Sequence, residues 1–229
     1  MRTHARVLLV SVLASALMLS GCATDEYGRS RPMTDAEKGA LFGALGGAAI
    51  GAIASTKEKR TQGVLLGAIG GGLAGTAIGS YMDGQKKDLE KALAAERDAG
   101  AILIEKVANN NLRVTMTAQT AFDVDSAAIK GGFHSTMDKI AAIVNKYGKT
   151  TLDVIGHTDN KGSDKHNQAL SERRAQAVAQ YFLSKEVHKE RLRMEGAGES
   201  QPRASNDSEQ GRTLNRRVEI VIEPVVSQS

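Results

Sequence analysis

Asp159 and Arg174 are the residues of this chain whose types and positions point to chemistry. Arg174 falls on a long amphipathic helix that the pattern predicts from the polar turn after Gly156 to about Lys185. At about 100° per residue, with Leu170 at the origin, Ala177, Val178, Tyr181 and Phe182 trace an apolar arc, and Arg174 and Asn167 sit in its middle. A guanidinium buried there without a partner costs several kcal/mol, comparable to the net stability of a domain, so it needs an anion. Asp159 is the nearest candidate in sequence. It follows a strand predicted over Leu152–Ile155, and the carboxyl end of a strand is where ligands commonly sit in α/β sheets. Two opposite charges at one crevice suit a zwitterionic ligand. Helix geometry leaves two alternatives open: a plain internal Asp159–Arg174 pair, or an arginine that snorkels to water with no ligand.

An enzyme could be assembled from His157, Asp159, His166 and Ser171, but nothing around them matches a nucleophile elbow or a positioned general base. The same residues lack the ligand spacing of a zinc site. No catalysis, metal or cofactor is expected. The net charge of +4 and pI near 9.2 are too mild to call for nucleic acid, and aromatics are 3% with no Trp to stack on bases. The single cysteine, Cys22, rules out an intrachain disulfide and a cysteine-based zinc site.

The elements that must position these residues begin with two runs of strand character, Ile102–Val107 and Leu112–Ala118, joined by the turn Asn109-Asn110-Asn111. Phe122-Asp123-Val124-Asp125-Ser126 follows. A helix then carries Phe133, Met137, Ile140, Val144 and Tyr147 on one stripe and stops at Gly148. After the Leu152–Ile155 strand and the long helix, Arg191–Gly196 reads as a strand with Leu192 and Met194 on its apolar side. Gly198–Gly211 reads as a loop. The last strand places Val218, Ile220 and Ile222 on one side and Arg217, Glu219 and Glu223 on the other. Strands alternating with helices predict an α/β fold, a sandwich with helices on one face of a mixed sheet.

Upstream, Met1–Arg6 is basic, Val7–Leu19 is an apolar run of signal-peptide length, and Leu19-Ser20-Gly21-Cys22 follows at once. This resembles a bacterial lipoprotein signal, whose cysteine is lipidated and becomes the mature N-terminus. With Ala23 rather than Asp after the cysteine, the resemblance implies outer rather than inner membrane. Residues 22–37 read as a polar tether ending in a capping-box pattern at Thr34 and Glu37. Glycine then recurs every fourth residue, at Gly39, Gly43, Gly47 and Gly51 and again from Gly63 through Gly67, Gly71 and Gly75 to Gly79. Each glycine costs a soluble helix about 0.8–1 kcal/mol, so the register implies two helices whose backbones approach closely, as small residues allow in membranes. Residues 38–82 are expected to form that glycine-zipper hairpin. Bilayer insertion, self-association with another copy and engagement of a membrane-protein partner all stay open. Residues 83–101 are expected to be a helical linker, and 102–226 the folded domain.

Four segments of that domain carry a resemblance: Ala121–Ser126, Gly156–Asp159, Asn167–Ala175 and Gly211–Glu219. In order and spacing they look like the OmpA-like peptidoglycan-binding domain, and with the cysteine and zipper in front the chain is similar to YiaD-type envelope lipoproteins. The resemblance implies a non-catalytic protein that holds a membrane to the cell wall by non-covalent binding of diaminopimelate in peptidoglycan stem peptides. It assigns the ligand ammonium to Asp159 and the ligand carboxylate to Arg174. Thr158, Asn167, Phe122 and Asp123 are expected to line the pocket, and Arg216 and Arg217 to brace it. His166 stands where members of the family often carry Tyr. The alternative function is a regulatory or assembly lipoprotein whose zipper contacts a membrane partner, with wall binding as its input.

Overall fold

Alternating apolar and polar residues form five strands: β1 Ile102–Lys106, β2 Leu112–Thr117, β3 Thr150–His157, β4 Leu192–Gly196 and β5 Arg217–Pro224. The computed structural model describes residues 23–24, 30–31, 71–73 and 77–226. The expected signal segment, Cys22, the capping box and most of the glycine repeat lie outside the described residues. In the N-terminal unit the expected tether contributes a two-residue antiparallel ladder, Ala23–Thr24 with Ser30–Arg31. Among the described residues no helix is long and apolar enough to cross a membrane.

The five strands make one mixed sheet of order β1-β2-β5-β3-β4. β3 and β4 are parallel, and the other neighbours are antiparallel. The helices are α1 Ile78–Ala92, α2 Ala94–Asp98, α3 Ala118–Ala121, α4 His134–Lys146, α5 Asp164–Ser184 and α6 Glu209–Asn215. Leu112, Val114, Met116, Leu152, Val154, Val218, Ile220 and Ile222 of the sheet meet Phe133, Met137, Ile140, Val144, Val178 and Phe182 in one core. Each such side chain contributes roughly 1.5–3 kcal/mol relative to exposure. The sandwich of helices on one face of a mixed sheet is the fold expected.

Three local features differ from expectation. The charged segment 83–101 is built into the domain, because helix α1 runs through residue 83 without a break and Met82, Leu89 and Leu93 are buried in the core. Met194 is half exposed on β4, which is an edge strand. The end of the turn-rich 198–211 segment opens a helix, α6, whose N-cap Ser208 accepts a hydrogen bond from Gly211 N at 3.0 Å.

Two glycines let α5 lie directly on the sheet. A Cβ on Gly156 of β3 would sit 2.1 Å from the Ser171 carbonyl oxygen, and one on Gly196 of β4 2.6 Å from the Glu172 backbone nitrogen. Gly156 pairs with Gly196 across the sheet, so both contacts fall under one turn of the helix. That turn precedes Arg174, and Gly156 precedes Asp159, so this close approach sets the distance between the two charges. Gly156→Ala is expected to lift the helix and to cost about 2–3 kcal/mol, because backbone rather than a flexible side chain is in the way. A denaturant titration checks this; an unchanged midpoint contradicts it.

The face away from the helices is polar. Arg217 Nε donates to Glu219 at 2.7 Å, Arg113 lies 3.2 Å from the same carboxylate, and His157 stands beside them, cross-strand from Arg217. His157 is 1% exposed, and among the described residues neither ring nitrogen has a hydrogen-bond partner. Burial first, then the positive charges of Arg217 and Arg113, push its pKa down from 6.5 to about 4, with Glu219 acting the other way. Between those values the unfolded chain takes up a proton that the folded protein refuses. Stability contributed above pH 6.5 is therefore lost as pH falls toward 4, by up to about 3 kcal/mol. Thermal unfolding at pH 7 and pH 4.5 should show this loss in wild type and a smaller one in His157→Gln; equal losses contradict it.

Candidate functional site

The loop between β3 and α5 places Asp159 at the carboxyl end of β3. Gly162 takes a positive φ of 102°, and Ser163 caps α5 by accepting from His166 N at 3.3 Å. Asp159 is 6% exposed, and its two oxygens are already engaged: Oδ1 accepts from Lys161 N at 3.0 Å, and Oδ2 from Arg216 Nη1 at 2.6 Å. Arg216 also donates to Glu209 and Thr213 Oγ1, each at 2.7 Å. Burial works against the charge of Arg216, but the bonds to Asp159 and Glu209 raise its pKa above the ordinary value.

Asn167 and Thr158 border the same place. Asn167 is buried on α5 and donates through Nδ2 to the Asp159 carbonyl at 3.2 Å and to Glu199 at 2.5 Å. Thr158 donates its backbone N–H to Gly198 O at 2.8 Å; its Oγ1 is buried with no partner among the described residues.

Arg174 is 5% exposed, where the helical wheel puts it. Its Nε donates to Ser126 O at 2.9 Å, and its guanidinium carbon lies 5.3 Å from the centre of the Phe122 ring. Neither Asp159 nor any other described carboxylate forms an ion pair with it, so the pairing that sequence left open is not made. Burial lowers its pKa from the ordinary arginine value; of the negative charges opposing that, Asp125 acts most strongly and Asp159 next. The result is a buried cation, held by one nitrogen and stacked on an aromatic ring, whose two terminal amino groups have no protein acceptor among the described residues.

Phe122 is buried beneath this group and pairs with Ile129 across the loop that follows α3. Asp123 stands apart, with its carboxylate 78% exposed and 3.4 Å from Lys130. Val124, at the tip of the loop, is exposed. Asp125 adopts a φ of 55°, and its Oδ1 is 2.9 Å from His166 Nε2.

The structure thus brings together Asp159, Thr158, Asn167, Arg174 and Phe122, and leaves the Asp123 side chain outside. Arg216 braces Asp159, while Arg217 braces Glu219 on the other face. Ser126 and Glu199 join the site through a carbonyl and a side chain that sequence did not single out. The residues of the enzyme alternative are dispersed: His157 faces away with Arg217, and Ser171 Oγ is spent on Gln168 O at 2.8 Å and Gly198 N at 2.9 Å. Among the described residues no three His, Cys, Asp or Glu could hold a metal.

Comparison with known proteins agrees with the motifs. The OmpA family matches residues 121–216, and the YMGG-like Gly-zipper family matches residues 1–83. "Probable lipoprotein YiaD" of Escherichia coli K12 is 36% identical over 218 residues, covering 95% of this chain and 97% of that protein. "Outer-membrane lipoprotein YfiB" of Pseudomonas aeruginosa is 34% identical over 107 residues, covering 47% of this chain and 64% of its own. The solved cell wall anchor of the T6SS from Pseudomonas aeruginosa superposes with a TM-score of 0.55 at 31% identity, covering 59% of this chain and 96% of that one.

Proposed function

This chain belongs to the OmpA family, with a Gly-zipper match ahead of its OmpA match and similarity to the YiaD lipoprotein along nearly its whole length, and we propose that its folded domain holds peptidoglycan non-covalently through diaminopimelate in the stem peptide. One observation carries this reading: Arg174 is a buried guanidinium whose terminal amino groups have no acceptor among the described residues, close enough to Asp159 for the two charges to influence each other. A ligand carboxylate takes two parallel N–H donors from Arg174, and its ammonium donates to Asp159. Arg216 and Lys161 N each engage one oxygen of Asp159, so both oxygens keep a lone pair for the ammonium while the carboxylate is held in place.

Charge-assisted bonds contribute about 1.5–3 kcal/mol each, so a single domain binds weakly. A lipid on Cys22 and the repeating wall polymer raise the effective affinity without any new contact. In this reading Cys22 anchors the mature protein to the outer membrane and the domain reaches the wall from the periplasmic side.

The test is sedimentation of the purified full-length protein, in detergent, with isolated cell-wall sacculi. Wild type should pellet with the wall, and free diaminopimelate should release it. Protein that stays in the supernatant, or a pellet insensitive to the competitor, contradicts the proposal.

A further inference from the structure

Among the described residues Arg174 has no anionic partner, although Asp125 is the negative charge that acts on it most strongly. Asp125 precedes Ser126, whose carbonyl accepts from Arg174 Nε at 2.9 Å, so the chain itself carries Asp125 to the edge of the guanidinium. No other negative charge acts on Arg174 more strongly, yet the two form no ion pair. The Asp125 carboxylate instead engages the first turn of α5, two turns before Arg174, where its Oδ1 lies 2.9 Å from His166 Nε2. The backbone at Asp125 is left-handed, with φ 55°, a conformation an aspartate adopts at modest cost and holds when something fixes it. His166 is itself fixed, because its backbone N–H is the one capped by Ser163 on the first turn of α5.

The geometry points to His166 as a positioning residue that holds Asp125 away from Arg174 and so keeps the guanidinium open to the carboxylate of an incoming ligand. The inference rests on the reading of Arg174 as the ligand's carboxylate site. A buried arginine would otherwise recruit the nearest carboxylate, since an internal pair relieves much of the cost of burying the charge. That pair would occupy the same two amino groups that the ligand uses. In this arrangement His166 does not touch the ligand. Its ring engages the one side chain best placed to compete with the ligand.

Removal of the imidazole should therefore inhibit through Asp125 rather than through lost contact with ligand. In a titration of the full-length protein with free diaminopimelate, His166→Ala is expected to bind about tenfold more weakly than wild type. His166→Gln, which keeps a donor for Asp125, should recover most of that loss. The double variant His166→Ala/Asp125→Asn should return to within about twofold of wild type, because the competing charge is gone. A purely structural role for His166 predicts the opposite for the double variant, with no recovery. A crystal structure of His166→Ala without ligand reads the contact itself: Asp125 paired with Arg174 supports the inference, and Asp125 still apart from Arg174 overturns it. That second measurement separates the two claims. If wild type fails to bind diaminopimelate, the functional reading fails, while the crystal structure still decides whether His166 holds Asp125 off the arginine.

Discussion

Arg174→Ala is expected to abolish co-sedimentation with sacculi while leaving the fold nearly as stable as wild type. The two outcomes separate because of how Arg174 is held. Its side chain is buried, yet the protein gives it one carbonyl, Ser126 O, and the face of Phe122 rather than a carboxylate. Removing it costs one hydrogen bond and a cation–π contact but also removes an unpaired buried charge, so the net change in stability is small, within about 1 kcal/mol. Two charge-assisted bonds to a ligand carboxylate amount to about 3 kcal/mol at the low end, or more than a hundredfold in affinity. Lysine is no substitute: its single ammonium cannot reproduce the planar pair of donors, and Arg174→Lys should bind nearly as poorly. Thermal melts beside the sedimentation assay decide the matter. A variant that unfolds, or one that still pellets, contradicts this role.

Arg191→Met is expected to show the reverse, a large loss of stability with no direct effect on the site. Arg191 is 2% exposed, and its charge is satisfied entirely by backbone and hydroxyl oxygen: Nε donates to Thr150 O at 2.6 Å, and Nη2 to Val144 O at 3.0 Å, Tyr147 O at 3.1 Å and Thr150 Oγ1 at 2.9 Å. Val144 and Tyr147 lie at the carboxyl end of α4, so the guanidinium caps that helix, meets the negative end of its dipole and ties it to the start of β3. Burial lowers its pKa to about 10, with Tyr81 acting in the opposite direction, so the group stays charged at neutral pH. Methionine fills the volume but leaves several buried oxygens without a donor, a loss of about 3–5 kcal/mol. Exposed Arg193, 3.2 Å from Asp153, is the control; its replacement by methionine should change stability by less than about 1 kcal/mol. Urea titrations of the two variants test the contrast, and similar midpoints would refute it.

These two arginines also mark where sequence is informative and where it is silent. Arg174 was visible because a charge on the apolar face of a 3.6-residue repeat stands out against Val178 and Phe182, and the structure buries it there. Arg191 had no such context. Its partners are three backbone carbonyls, which leave no trace in residue types, and the Thr150 hydroxyl, 41 residues away. Asp159 was legible at the end of its strand, but its bond to Arg216 spans 57 residues and depends on α6, a short helix in a turn-rich stretch. The Ser208 cap of that helix is seen in the structure, and the long-range bond the helix enables leaves no local sign in the sequence. Segment 83–101 looked like a linker because its charges dominate the composition. The stripe formed by Met82, Leu89 and Leu93 decides its packing instead. For β3 the sequence showed only a strand over Leu152–Ile155; in the structure Leu152, Val154 and Gly156 turn inward and His157 turns away. The sequence could not show that His157 would be covered on that second face.

Calorimetric titration of the full-length protein with free diaminopimelate is the most direct test of the wall-binding proposal. Weak, saturable binding is expected for wild type, lost in both Asp159→Ala and Arg174→Ala proteins that melt as folded molecules. The absence of any wild-type binding, or binding that survives in both variants, would contradict it.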